Sequence, residues 1–174
     1  MPFSHQPAGV DETILKATLR GRPPAELARA LARAKAEAVS ALRPEALVLG
    51  ADQVLEAEGR LFDKPRDKSE ARAQLVFLRR RAHRLVNGIA LARRGQTCWQ
   101  FDNEAHLWMR DFDDAFLDRY LAEAGSEVLE SVGAYRLEGI GAQLFARIEG
   151  DFFSILGLPL LPLLEALRRE GILA

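Results

Sequence analysis

Asp52 and Lys64 bracket the stretch Leu47 to Pro65 (LVLGADQVLEAEGRLFDKP), where an apolar run ends in an acid and a lysine returns just ahead of a proline. Leu47, Val48 and Leu49 followed by Gly50 and Ala51 read as a buried strand whose end needs little side-chain bulk, so Asp52 is expected to emerge at a strand end. Ligands in α/β folds bind beyond strand ends, and a carboxylate there can hold a hard metal ion or activate a water. Val54-Leu55, Glu58-Gly59 and Leu61-Phe62 read as a hairpin turning at Gly59, which would bring Lys64 back near Asp52. Two readings of that pair stay open on these residues alone. It is a surface ion pair, or it is a site that takes a metal and a phosphate together.

The elements that must position these side chains are legible as alternating periods. Leu27, Leu31, Ala34, Ala38 and Leu42 recur at helical spacing after Pro23-Pro24, with Lys35 beside the stripe. Asp67-x-x-Glu70 resembles a capping box opening a helix that turns Ala71, Leu75 and Leu78 inward and ends in Arg79, Arg80, Arg81 and Arg84. From Leu85 to Met109 the period becomes two. Thr97, Trp99, Phe101, Ala105, Leu107 and Met109 share one face, Trp99 and Trp108 lie on opposite faces, and Arg94-Gly95-Gln96 turns a long hairpin. Asp113 caps a helix carrying Phe116, Leu117, Tyr120 and Leu121 that Gly125 ends. Short strands are expected at 135–138 and 143–148, and Gly157-Leu158-Pro159 opens a last helix.

The chain has 174 residues, enough for one domain with a core that needs no disulfide or structural metal. Its 24 Lys and Arg against 25 Asp and Glu leave a net charge of −1, which removes the broad electrostatic reason for a nucleic-acid or membrane-surface partner. The single cysteine, Cys98, excludes an intramolecular disulfide and a cysteine-built zinc site and fits a reducing cytoplasm. No leader or apolar run of bilayer length is present, so a soluble, unexported protein is expected. His5, His83 and His106 are too scattered for a histidine metal motif and each reads as structural or exposed, although His83, close to the arginine run, could help attract anions. The arginine run lacks the interleaved aromatics that stack bases and reads as a solvated helix end. A Walker loop is absent, which argues against an ordinary kinase or ATPase.

Four spaced pieces together resemble the Maf family of nucleoside triphosphate pyrophosphatases: Val10-Asp11-Glu12, Lys35-Ala36, Gly50-Ala51-Asp52 with Lys64-Pro65, and the run EGIGAQLFARIEGDFFSILGLPL from Glu138. The resemblance implies an α/β fold with an elongated, mixed, twisted sheet and flanking helices, two lobes around a cleft, similar to inosine triphosphate pyrophosphatases. It implies cleavage of a nucleoside triphosphate to monophosphate and pyrophosphate with a divalent metal, Mg2+ or Mn2+, and a possible homodimer. Asp52 becomes the proton acceptor, Glu12 and Asp52 the metal-side carboxylates, and Lys35 and Lys64 the phosphate-side cations. Without the resemblance, Glu12 and Lys35 read as solvated charges flanking helices. Gln53 and Glu138 look more like the 7-methyl-GTP branch than the dTTP/UTP branch, where threonine and glutamine are expected. A carboxylate can accept from the N1–H and N2 amino groups of guanine. On sequence alone Glu138 paired with Arg136 or Arg147 is an equal reading.

Relatives begin with a strand and a Ser-x-Ser-x-Arg-Arg loop that binds the triphosphate, whereas residues 1–9 (MPFSHQPAG) match the stretch just before Val-Asp-Glu, with Met1 at an apolar position. The expectation is a single Maf-like domain over 1–174 whose Met1 is an internal methionine of a longer protein, and which is poorly stable or weakly active as written. A reading from another class is a non-catalytic Maf-like protein acting through partners in cell division.

Overall fold

The computed structural model describes residues 2–174, so the expectation for Met1 lies outside the described residues. Among the described residues the α-helices and β-strands follow in the order α1 Glu12–Thr18, α2 Pro24–Leu42, β1 Val48–Ala57, β2 Arg60–Phe62, α3 Lys68–Leu78, β3 Ala82–Arg93, β4 Gln96–Met109, α4 Asp114–Ala124, β5 Phe145–Glu149, α5 Phe152–Ile155 and α6 Leu160–Arg169, with three short 3-10 turns between α4 and β5. The strands form one antiparallel α/β sheet in the order β2-β1-β3-β4-β5. Two two-residue hairpin turns are closed by pairs of left-handed residues, Glu58-Gly59 and Arg94-Gly95, as the right-handed twist of their flanking strands demands. The chain divides into two compact units. One contains residues up to 53 with 86–103 and 157–174; the other contains 54–85 and 104–156.

In the first unit the strands are covered on both faces, and side-chain size decides which helix covers which. The even positions of β3, Gly88, Ala90 and Ala92, and Gly50 of β1 meet an alanine seam of α2, Ala28, Ala32 and Ala36. The odd positions Ile89 and Leu91 instead pack against Leu163, Ala166 and Leu167 of α6, joined by Ala51, Trp99 and Phe101. A Cβ on Gly88 would sit 2.3 Å from the Ala28 carbonyl, and one on Gly50 would sit 2.2 Å from that of Ala32. Two sequence expectations are corrected here. The buried face of α2 is Leu27, Ala28, Leu31, Ala32, Ala36 and Val39, while Leu42 is 69% exposed; close approach to glycine favours alanines over the larger residues of the expected stripe. Asp52 lies inside β1 rather than at its end, because Gly50 and Ala51 are small to admit helices, not to stop a strand.

The second unit is built on a larger aliphatic and aromatic core containing Leu55, Leu75, Leu78, Leu107, Leu117, Tyr120, Tyr135 and Leu144. Ala71, Leu75 and Leu78 face inward from α3, as their spacing predicts. The Asp67 side chain caps α3 through the Glu70 amide at 2.8 Å, but the Glu70 carboxylate reaches back to the Arg66 amide at 2.9 Å rather than to Asp67. The expected strand at 135–138 is absent among the described residues. Tyr135 is extended but without a ladder partner, and the Gly139 amide donates to the Arg136 carbonyl at 3.3 Å, closing a turn. The alternation read there arises because Tyr135 and Leu137 both turn into the core while Arg136 and Glu138 face outward. β5 pairs with β4 through Leu107 and Ile148. Trp99 packs in the α6 core, whereas Trp108 lies under the Arg147 guanidinium at 4.7 Å.

His83 is buried, the structural one of its sequence readings, and is not a surface group that attracts anions. Its Nε2 meets the Tyr135 hydroxyl at 2.8 Å and its Nδ1 has no partner among the described residues. Burial lowers its pKa from the ordinary 6.5 to about 4. The folded value lies below the unfolded one, so this neutral ring contributes stability that is present above pH 6.5 and lost as pH falls toward 4. Unfolding free energy is expected to drop by about 2 kcal/mol between about pH 7 and 4.5 from this residue. Urea titrations of the parent and a His83→Gln variant across that range should show the slope only in the parent. The arginines after α3 are tied to carboxylates, Arg79 to Asp114 at 3.0 Å, Arg81 to Glu58 at 3.1 Å and Arg84 to Glu56 at 2.7 Å. No helix of the described residues is long and apolar enough to cross a membrane.

Candidate active site

Strand alternation and helix periodicity bring the first charges together. Asp52 stands two residues after Gly50 and therefore on the same face of β1, the face that α2 covers. Lys35 precedes Ala36 of the alanine seam, so its long stem reaches across the strand. Its Nζ donates to Asp52 Oδ1 at 2.6 Å and lies 2.8 Å from Glu12 Oε1. Glu12 comes from the first turn of α1, which the Asp11 side chain caps by accepting from the Thr13 and Ile14 amides at 2.9 and 3.4 Å. One turn on, Lys16 lies 3.9 Å from Glu12. The first unit thus holds the alternating row Lys16, Glu12, Lys35, Asp52.

The electrostatics separate the partners. Asp52, with a side chain only 11% exposed, has a raised pKa because burial penalises its charge more than the Lys35 bond and the Lys35 charge favour it. Burial lowers Lys35 in the same way, but the hydrogen bonds from Asp52 and Glu12 and their charges outweigh it, and the ammonium is held above its ordinary value. The pair is therefore a firmly charged lysine beside a carboxylate made more basic than usual. A carboxylate shifted upward in this way is a stronger proton acceptor than an ordinary one.

The donor chemistry also fits a hard divalent cation. Two carboxylates, Glu12 and Asp52, face a common positive group, and Glu12 is partly open to solvent. Among the described residues no group of three or more His, Cys, Asp or Glu converges. A divalent cation here would find two carboxylates, Glu12 and Asp52, both already paired with Lys35, and would take its remaining ligands from phosphate oxygens and water.

Gln53 points to the opposite face of β1. Its Nε2 donates to Asn87 Oδ1 at 2.9 Å, and Asn87 Nδ2 donates to Asn103 Oδ1 at 3.1 Å. Asn87 is fully buried in the central strand. Asn87, Asn103 and Lys16 were not singled out from the sequence. An amide within the apolar run Leu85–Leu91 and a lysine one helical turn after Glu12 were the available signals. Lys64 and Glu138 belong to the second unit. Lys64 is exposed. Glu138 accepts from Arg136 Nε at 3.0 Å, one of the two pairings open on sequence. Cys98 is exposed and donates to the Leu91 carbonyl at 3.4 Å.

The family model described as Maf-like protein matches residues 1–170. The chain is 49% identical over 173 residues to the nucleoside triphosphate pyrophosphatase of Maricaulis maris (strain MCS10), covering 99% of this chain and 88% of that protein. It is 50% identical over 171 residues to the protein of the same name from Paramagnetospirillum magneticum (strain ATCC 700264 / AMB-1), covering 97% and 88%. It is 46% identical over 170 residues to the 7-methyl-GTP pyrophosphatase of Brucella abortus biovar 1 (strain 9-941), covering 97% and 85%. With the triad of Glu12, Lys35 and Asp52 assembled and a match over nearly its whole length, the chain belongs to the Maf family.

Proposed function

We propose that this chain hydrolyses a nucleoside triphosphate to the monophosphate and pyrophosphate, with 7-methyl-GTP as the favoured nucleotide and dTTP or UTP as the competing one. The observation that carries the reading is Lys35 bonded to both Glu12 and a half-buried Asp52 of raised pKa. A scaffold gains little from burying such a set, because desolvated charges cost more than apolar packing. The names of the similar proteins point the same way.

In the proposed reaction a water oxygen bonds to the α-phosphorus, the bridging oxygen leaves with pyrophosphate, and the water proton passes to Asp52. Lys35 orients Asp52 and, with Lys64, offsets phosphate charge. Glu12 and Asp52 would hold Mg2+ or Mn2+, which neutralises the polyphosphate when bound. Gln53, with its amide oriented through Asn87 and Asn103, and Glu138 are proposed to contact the base. A guanine edge presents N1–H and N2–H donors to a carboxylate, whereas a uracil or thymine edge presents one N–H between two carbonyls. A cytoplasmic setting is proposed from the lone Cys98.

The test is pyrophosphate release from 7-methyl-GTP, GTP, dTTP and UTP with Mg2+ or Mn2+, repeated in EDTA. Release that depends on the metal and is fastest with 7-methyl-GTP is expected. Exchanging Glu138 for glutamine should lower the guanine-to-pyrimidine ratio of kcat/KM by about tenfold, the size of one charge-assisted hydrogen bond. An unchanged ratio retires Glu138 as a base contact.

A further inference from the structure

The backbone of the loop that carries Glu138 is tied at several points. Tyr135 is buried, and its carbonyl accepts from Ser131 Oγ at 2.6 Å. The Arg136 carbonyl accepts the Gly139 amide at 3.3 Å, and a Cβ at Gly141 would lie 2.4 Å from that same oxygen. The turn from 136 to 141 is therefore wound tightly around one carbonyl, which sets the Cα of Glu138 but leaves its side-chain torsions free. Arg136 supplies the missing constraint. Its Nε donates to Glu138 Oε1 at 3.0 Å and its Nη1 donates to Glu127 Oε2 at 3.2 Å. The guanidinium is planar, so two carboxylates gripped through different nitrogens are held in one relative orientation. The Arg136 bond engages Oε1 of Glu138; a carboxylate carries further acceptor sites on its second oxygen. Arg136, Glu127, Gly139 and Gly141 also border a hollow of about 290 Å3, whose lining does not include Glu138 itself.

We propose that Arg136 is a specificity-positioning residue: anchored by Glu127, it holds the Glu138 carboxylate as an oriented acceptor for the donor edge of a guanine. The inference rests on the reading of Glu138 as a base contact and adds the residue that makes that contact directional. An unanchored glutamate samples several rotamers and loses part of its binding free energy in becoming ordered. Both groups are solvent-accessible, so the pair adds little to stability; its effect belongs in nucleotide selection.

The experiment measures kcat and KM for 7-methyl-GTP, GTP and UTP with Arg136→Met, Glu127→Gln, Glu138→Gln and the double variant Arg136→Met/Glu138→Gln, with melting temperatures to establish folding. Arg136→Met is expected to lower the guanine-to-uracil ratio of kcat/KM by about fivefold, chiefly through KM, and Glu127→Gln by about twofold. The double variant should match Glu138→Gln, because orientation of an absent carboxylate has no effect. If Glu138→Gln changes the ratio while Arg136→Met and Glu127→Gln leave it unchanged, or lower every nucleotide equally, the positioning role is overturned and the base contact stands. If Glu138→Gln itself leaves the ratio unchanged, the base contact fails and the positioning role with it.

Discussion

Asp52→Asn is expected to reduce kcat for pyrophosphate release by about a hundredfold to ten-thousandfold, the range for loss of a positioned general base. The amide keeps the shape of the carboxylate and can still accept from Lys35, so orientation of neighbouring groups survives while proton acceptance does not. The fold should not suffer. Burial penalises the Asp52 charge and raises its pKa, so an uncharged isostere removes a desolvation cost while giving up part of the Lys35 attraction. Lys35 retains Glu12 at 2.8 Å. The melting temperature is expected to stay level or rise as activity collapses, a combination that a merely destabilised enzyme does not show. Steady-state rates and thermal melts of the two proteins decide it, and residual turnover within tenfold of the parent would remove Asp52 as the base.

Gly88→Ala is expected to cost at least about 3 kcal/mol of folding stability, at the upper end of overpacking penalties. Its added Cβ would fall 2.3 Å from both the carbon and the oxygen of the Ala28 carbonyl and 2.5 Å from the Arg29 amide. These are backbone atoms within α2, and no rotamer change relieves them; the helix has to move off the sheet. Gly50→Ala meets Ala32 and Ala36 in the same manner, with approaches of 2.2 and 2.7 Å. That substitution carries a second consequence, since Gly50 shares its strand face with Asp52 and the displaced backbone flanks Lys35. Activity should fall with stability there. Gly21 provides the comparison: it has a left-handed backbone but nothing within 4 Å of an added Cβ, so Gly21→Ala should cost only about 1 kcal/mol. Urea midpoints of the three variants measure the difference, and equal costs at positions 21 and 88 would show that the seam is not tight.

The local signals were strong where one residue type has one physical use. Asp67 and Asp113 cap α3 and α4 through the Glu70 and Phe116 amides at 2.8 and 2.7 Å, as their positions ahead of apolar periods predict. Gly59 and Gly95 mark hairpin turns because two successive left-handed residues are needed there. The period-two run to Met109 became β4 with Ala105, Leu107 and Met109 buried on one face. Signals failed where two physical causes leave the same trace. Gly50-Ala51 looks alike whether a strand ends or a helix crosses it. Tyr135 and Leu137 alternate whether they pair in a ladder or turn into a core beside an unpaired loop. His83 next to arginines resembles a basic surface until Tyr135 covers it.

The amino-acid sequence alone determined which chemistry was available: a carboxylate at 52, cations at 35 and 64, an acid at 12, the caps and turns that delimit their elements, and the resemblance to the family. Only the tertiary structure decided that Lys35 lies between Glu12 and Asp52, that Gln53 leans on Asn87 and Asn103, and that Glu138 is gripped by Arg136. The reason is geometric. Side-chain type and local period depend on neighbours a few residues away, whereas the face of β1 that meets α2 depends on how close two backbones can come, and that is settled by Gly50, Gly88 and three alanines packing across distant parts of the chain.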